Sequence, residues 1–378
     1  MPHRFGANGF ANPTVYCGEM KALLSHARSR LVRELERPPS AVATRGPALP
    51  ADWVGAFELA GSEFVGALHE RAAQDAEARL RDVLTRLAMR EPAEVISRIL
   101  QLPSERFRAI AALPSMECWA RVASDALEGR ATKSIAGRDL CANAGYLRDV
   151  LAWEEQWGTR APRMHRDDPW LRLPFDGDIE FEGAEVAEAG RERCLTALAI
   201  LDAWRPGLVD EIGRLSPEIQ FIRDRTAHPE KAVSFSDNVI PGALYVGVRH
   251  RGGLIEPAQL ADSILHEHRH QRLYLVQRVD PLIARDWPTV SSPWRDEPRP
   301  PSGLLHALYV FTGLLEFWAH LRRAPDSGTR AQASAEIAGT CVRLVKGFET
   351  IRACSFTPAG SALVESLYER MAQLDAGR

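Results

Sequence analysis

Two imidazoles four residues apart with a carboxylate beside the first, His266-Glu267-His268-Arg269-His270, form an H-E-x-x-H pattern. On an α-helix, positions four apart share a face with their Cβ atoms roughly 5–6 Å apart, so His266 and His270 can hold one metal ion. Glu267 lies about 100° round the axis from His266, within reach of a metal-bound water or oxidant but badly placed as a third ligand. His268 points roughly 200° away and reads as a bystander or a group behind the ligands. The helix is supported independently: Leu260, Ile264, Leu265, Leu273 and Val276 recur near a helical period, with no Pro or Gly between Leu260 and Val279.

Zinc hydrolases and non-haem iron oxygenases take three protein ligands and keep coordination positions open. The metzincin pattern would place a Gly and a His where this chain has Leu273 and Val276, which excludes it. Further on, Ser302 to Arg323 reads as a helix capped by Ser302, with Leu304, Leu305, Leu308, Phe311, Leu315 and Trp318 on its apolar side. It offers His306, Glu316 and His320. His306 and Glu316 are about 15 Å apart along such a helix, so they cannot touch the same ion. A gluzincin-type site takes Glu316. A three-histidine site takes His306, which follows closely on a Pro-rich loop carrying Arg295 and Arg299, and planar guanidinium groups there suit an anion at the metal.

The expected fold class is mainly α: a helical N-terminal region plus a zincin-like α+β metal-site region with a short antiparallel strand before the H-E-x-x-H helix. Helices are expected over Gly18 to Leu35, Trp53 to Arg90, Glu94 to Leu102, Ser104 to Leu113, Ser115 to Leu127 and Lys133 to Leu151, separated by Pro-marked turns. A Trp- and Pro-rich stretch leading to the acidic segment Asp176 to Glu182, read as a solvated loop, marks the boundary. The division is residues 1–155, expected to recognise peptide, and 156–378, the metal-binding catalytic region. Glu185 to Leu201 and Pro206 to Ile222 read as further helices. Ala243 to Val248 is a β-type run after Pro241-Gly242; as an edge strand it could pair with an extended peptide.

Composition sets the outer limits. The chain has 378 residues, 45% hydrophobic and 26% charged, with a formal net charge of −3. That balance is globular and lacks the basic excess of nucleic-acid binding. No window nears the apolar length of a membrane span, and Met1 to Gly6 is not followed by a signal-peptide core, so neither membrane nor nucleic acid is an expected partner and the cytoplasm is the expected location. Six scattered cysteines show no C-x-x-C spacing and read as reduced core residues, with Cys341 and Cys354 as the one pair near in sequence. The sequence sets no oligomeric state.

Pro241-Gly242, His266-Glu267-x-x-His270, Ser292-Pro293-Trp294-Arg295, Arg299-Pro300 and Leu305-His306-x-x-Tyr309-x-Phe311 together resemble the H-E-x-x-H peptide-modification proteins encoded beside ribosomal peptide precursors. The resemblance covers roughly residues 230 to 325. That family looks like iron(II)- and 2-oxoglutarate-dependent peptide β-hydroxylases, which implies His266, His270 and His306 on Fe(II), Arg295 or Arg299 on the 2-oxoglutarate carboxylate, and a precursor peptide as substrate. Glu267 would orient water or substrate. Family members often carry Gly inside the motif, where this chain has His268-Arg269. Two other functions fit the same residues. One is a zinc metallopeptidase with Glu267 as general base and His266, His270 and Glu316 as ligands; the other is a non-catalytic peptide-binding subunit that keeps the motif as fold support.

Overall fold

The computed structural model describes residues 49–50, 52–90, 93–128, 142–157, 162–172, 175, 180–223, 233–238, 240–283 and 288–376. The expected helix at Gly18 to Leu35, residues 133–141 of the expected Lys133 to Leu151 helix and the acidic residues 176–179 lie outside them. Among the described residues the chain is mainly helical with a few short strands.

Helices come first: α1 (Trp53–Glu58), α2 (Glu63–Arg90), α3 (Glu94–Leu100), α4 (Ser104–Ala111), α5 (Pro114–Leu127) and α6 (Ala142–Trp157). Proline sets the joints, with Pro103 immediately before α4 and Pro114 at the first position of α5, where its missing N–H costs nothing. The second half of α2 packs with α3 to α6 around Trp119, Phe107 and Leu84. Trp53, Val54, Phe57 and Val65 instead join the large core built around the motif helix, so packing crosses the expected division at residue 155.

The sheet holds β1 (Arg163–His165), β2 (Glu218–Ile222), β3 (Ser234–Ser236) and β4 (Ala243–Gly247), in the order β1-β2-β4-β3. β1, β2 and β4 run parallel, and β3 is antiparallel to β4. Alternation along β4 sends Leu244 and Val246 to the large core and Ala243 and Tyr245 to an aromatic cluster with Phe175 and Phe235 on the other face. Two expectations change here. Ala243–Gly247 is an inner strand, buried at every position and paired on both sides, so it has no edge to offer a peptide. Pro206 to Ile222 is not one helix but α9 (Leu208–Leu215) followed by β2, which follows α7 (Pro169–Arg172) and α8 (Ala184–Trp204). Pro217 denies Ser216 helical geometry, and the buried run from Glu218 to Ile222 then takes a place between two parallel strands, where helix and strand periods look alike. Glu182, read in a solvated loop, is buried and pairs with Arg249 at 2.9 Å.

After the ribbon β5 (Arg249–His250) and β6 (Gly253–Leu254) comes the motif helix α10 (Pro257–Gln277). The expected Pro-rich loop is a hairpin of β7 (Val290–Ser292) and β8 (Arg295–Arg299), with Val290 opposite Arg299. It leads into α11 (Pro301–Leu321), then α12 (Ser327–Ile351) and α13 (Pro358–Ala376). Pro301 opens α11 and Pro300 stands at its cap with no side-chain bond, so Ser302 is not the cap. α11 is long and apolar enough to cross a membrane, yet 78% of its apolar window is buried as a core helix. Cys118, Cys194, Cys341 and Cys354 are all free thiols.

Helices α10 and α11 meet where Gly313 lies against Arg269. A Cβ at Gly313 would fall inside the Arg269 guanidinium, itself held by the Tyr309 carbonyl at 2.9 Å and by Glu58. Gly313→Ala is therefore expected to cost about 1–3 kcal/mol through overpacking, read in urea unfolding. Unchanged stability would mean Arg269 has room to withdraw.

Candidate metal and anion site

Two-thirds of α10 is buried, and none of it is fully exposed. The half-open residues of its middle and end, Asp262, His266, His270, Tyr274 and Gln277, recur at three and four and form one stripe. Buried polar partners behind the stripe fix its direction. His268 is bracketed by Ser216 Oγ on Nδ1 and Glu211 Oε1 on Nε2, each at 2.9 Å. Glu211 also accepts the Gly61 amide at 2.6 Å and pairs with Arg272 at 3.3 Å, and this cationic company holds its carboxyl down at about 2 against the effect of burial. Arg269 lies 3.9 Å over the Tyr309 ring. A buried charge without such partners would be strongly destabilising, so these contacts set the rotation of the helix. His268 and Arg269, inside the motif, are its anchors to the core.

On the open side the structure brings His270 and His306 together, with their Nδ1 atoms 2.9 Å apart. The second nitrogen of His306, Nε2, meets Gln277 Oε1 at 2.8 Å. His266 stands beside this pair, its ring 5.0 Å from that of His270 and edge-on to Phe311 at 5.3 Å. Two nitrogens on one ion at the usual 2.0–2.1 Å lie about 3 Å apart, so His270 and His306 already have ligand spacing. Among the described residues no three His, Cys, Asp or Glu side chains are grouped to hold a metal, so His266 flanks the pair rather than completing a three-nitrogen cluster. Burial holds His266 at about 4 and His306 at about 3, leaving both unprotonated at neutral pH, the form a metal requires.

Glu267 turns away from the stripe toward the sheet. Its carboxylate accepts from Ser234 Oγ at 2.7 Å and Ser236 Oγ at 2.8 Å, two same-face residues of β3, and lies 4.0 Å from His266 Nε2. Burial raises its pKa to about 7 despite both hydroxyls, which suits it to exchange a proton near neutrality. A carboxyl raised in the fold stabilises most below its ordinary value and loses that contribution as pH rises through about 7. In metal-free protein, Glu267→Gln is therefore expected to gain stability on the parent between pH 5 and pH 8 by up to about 3 kcal/mol, read as the change in their difference in unfolding free energy. The lowered histidines titrate in both proteins and cancel in that difference, whereas Asp262, raised to about 7 chiefly by burial and in small part by the Glu267 charge, cancels except for that last part. A pH-independent difference would place the Glu267 titration elsewhere.

The hairpin supplies the cations. Arg299 is half-buried at its end, donating to the Gly303 carbonyl at 3.3 Å, and Arg295 is exposed at its start. Burial first, and then the neighbouring Arg295 charge, lower the Arg299 pKa, and Tyr274 offsets them in part. Arg299 acts electrostatically on both His306 and Tyr274. At the hairpin's turn Trp294 stacks on Phe311 at 4.8 Å, and Phe311 touches His266, so an aromatic wall joins the hairpin to the stripe. The chain matches no protein-family model and no curated protein.

Glu316 lies elsewhere. It is held by Arg205 and, at 2.7 Å, by Arg370, in a network that also contains Glu58 and Arg269. Ser234, Ser236 and Gln277 were missed from the sequence. The two serines share a strand face by their spacing, and Gln277 lies two helical turns from His270, but the partner of each is distant in the chain.

Proposed function

We propose that this chain is an iron(II)- and 2-oxoglutarate-dependent hydroxylase acting on the β-carbon of a residue in a ribosomally made precursor peptide, in the cytoplasm. The observation that carries the reading is the His270–His306 nitrogen pair at 2.9 Å with the half-buried cation Arg299 nearby. His270 and His306 would hold the metal, with His266 turning in from its flanking position as the third ligand. Bound iron(II) with 2-oxoglutarate supplies the oxidation of a C–H bond to C–OH by dioxygen, with 2-oxoglutarate converted to succinate and carbon dioxide.

The chain's own residues have separable tasks. Arg299 pairs with the far carboxylate of the 2-oxo acid, and Arg295 adds positive potential at the mouth. Glu267, fixed by Ser234 and Ser236, orients water or substrate beside His266. Trp294 and Phe311 keep water from one side of the stripe. With β4 enclosed in the sheet, the peptide would lie along the half-open stripe of α10. The zinc peptidase reading loses Glu316, which is committed to arginines.

The test is anaerobic loading with Fe(II), then admission of oxygen with 2-oxoglutarate and candidate peptides. Succinate release and a 16-dalton gain on the peptide, both requiring 2-oxoglutarate, are expected by the reaction's balance, in which one oxygen atom enters the product, about 16 Da. Peptide-bond cleavage by the zinc-loaded protein without succinate would replace this reading with the hydrolase.

A further inference from the structure

His306 is gripped at both ring nitrogens by side chains of one helix. His270 meets Nδ1 at 2.9 Å, and Gln277, seven residues and so about two turns later on the same face, meets Nε2 at 2.8 Å. His306 is only 7% exposed, so these two contacts are its ring nitrogens' direct partners, with Tyr274 packed against the ring and Arg299 acting on it electrostatically.

A neutral imidazole carries one N–H and one lone pair. Gln277 presents its carbonyl oxygen, which can only accept. The proton of His306 therefore belongs on Nε2, and Nδ1 accepts from the Nδ1–H of His270, a proton that His270 moves to its own Nε2 or releases when a metal takes its place. We infer that Gln277 is a positioning residue: it locks His306 in the Nε2–H tautomer, so that Nδ1 is the donor atom His306 offers to a metal shared with His270. The inference rests on the metal-site reading above and names the ligand atom and its supporting partner.

The chemistry follows from the acceptor. The nitrogen of a ligand histidine that does not bind metal usually donates to a carboxylate, a carbonyl or water, which fixes the ring and raises the basicity of the donor nitrogen. Here a neutral amide does this, so the ring is oriented without adding negative charge next to Arg299 and the anion it would bind. Without the amide, the proton is free to occupy Nδ1, where it blocks the ligand position and leaves the wrong nitrogen exposed to the ion.

The test uses the full chain with cobalt(II) as the probe, following its visible absorption in titrations of the parent, Gln277→Leu and Gln277→Glu, with far-UV spectra confirming the fold of each. The parent is expected to bind, Gln277→Leu to bind about 10–100-fold more weakly, and Gln277→Glu, which restores an acceptor, to regain at least most of the affinity. Two-bond proton–nitrogen correlation spectra of the metal-free parent should show His306 protonated on Nε2. Equal affinity for the parent and Gln277→Leu would overturn the inference while leaving the metal site standing, and so would equal weakness of both variants or a parent His306 protonated on Nδ1. A parent that binds no cobalt(II) overturns the metal site and this inference together.

Discussion

His306→Ala is expected to weaken metal binding by more than about a hundredfold, whereas Glu316→Gln should leave it within about twofold, because loss of a ligand exceeds the usual 10–100-fold cost of losing a ligand's support. The contrast comes from where one helix sends two side chains. His306, near the start of α11, faces α10 and meets His270. Glu316, almost three turns later, faces α8 and α13 and accepts from Arg205 and Arg370. Glu316→Gln removes the charge at the centre of that network and is expected to lower stability, since Arg205, Arg269 and Arg370 then share Glu58 alone. Metal affinity and unfolding free energy measured on the same preparations separate the two effects. If Glu316→Gln loses the metal while His306→Ala keeps it, the gluzincin ligand set replaces the three histidines.

The part of this site legible in the sequence is the part built from local geometry. Spacing alone puts His266 and His270 on one face, and the structure places them on one stripe of α10. It could not show that His268 and Arg269 would be the best-anchored polar residues of that helix. Their partners Ser216, Glu211, Tyr309 and Glu58 lie 40 to 211 residues away. A charged residue whose partner is distant reads from sequence as a solvated one. The same limit hid Gln277, whose position opposite His306 depends on how α10 crosses α11.

Strand order was likewise beyond the sequence. The run Ala243 to Gly247 is strand-like by composition, but whether it lies at an edge depends on β2 and β3, which come from either side of it in space. A five-residue strand buried on both faces is also the case where period gives least guidance, so Glu218 to Ile222 fits a helix by pattern yet forms β2 in the sheet. The mainly helical class survived because long amphipathic segments with proline joints carry their signal locally.

Arg299→Ala is expected to raise the half-saturating concentration of 2-oxoglutarate by more than about tenfold, and Arg295→Ala to raise it less. Removing one partner of a desolvated charge-assisted pair costs about 2–5 kcal/mol, and about 1.4 kcal/mol already gives a factor of ten. Arg299 is half-buried, acts on His306 and Tyr274, and has its backbone stiffened by Pro298 and Pro300; Arg295 is exposed, where water screens its charge. The mutual repulsion of the two guanidinium groups has a further consequence. It weakens the site when empty and is relieved when a dicarboxylate binds, so the Arg295→Ala loss should shrink with added salt while most of the Arg299→Ala loss persists. The measurement is a 2-oxoglutarate titration of succinate release at saturating peptide, in low and high salt. Half-saturation unchanged in both variants would remove the hairpin from the cosubstrate site and leave the His270–His306 pair without the neighbouring anion site that favours an oxygenase over a hydrolase.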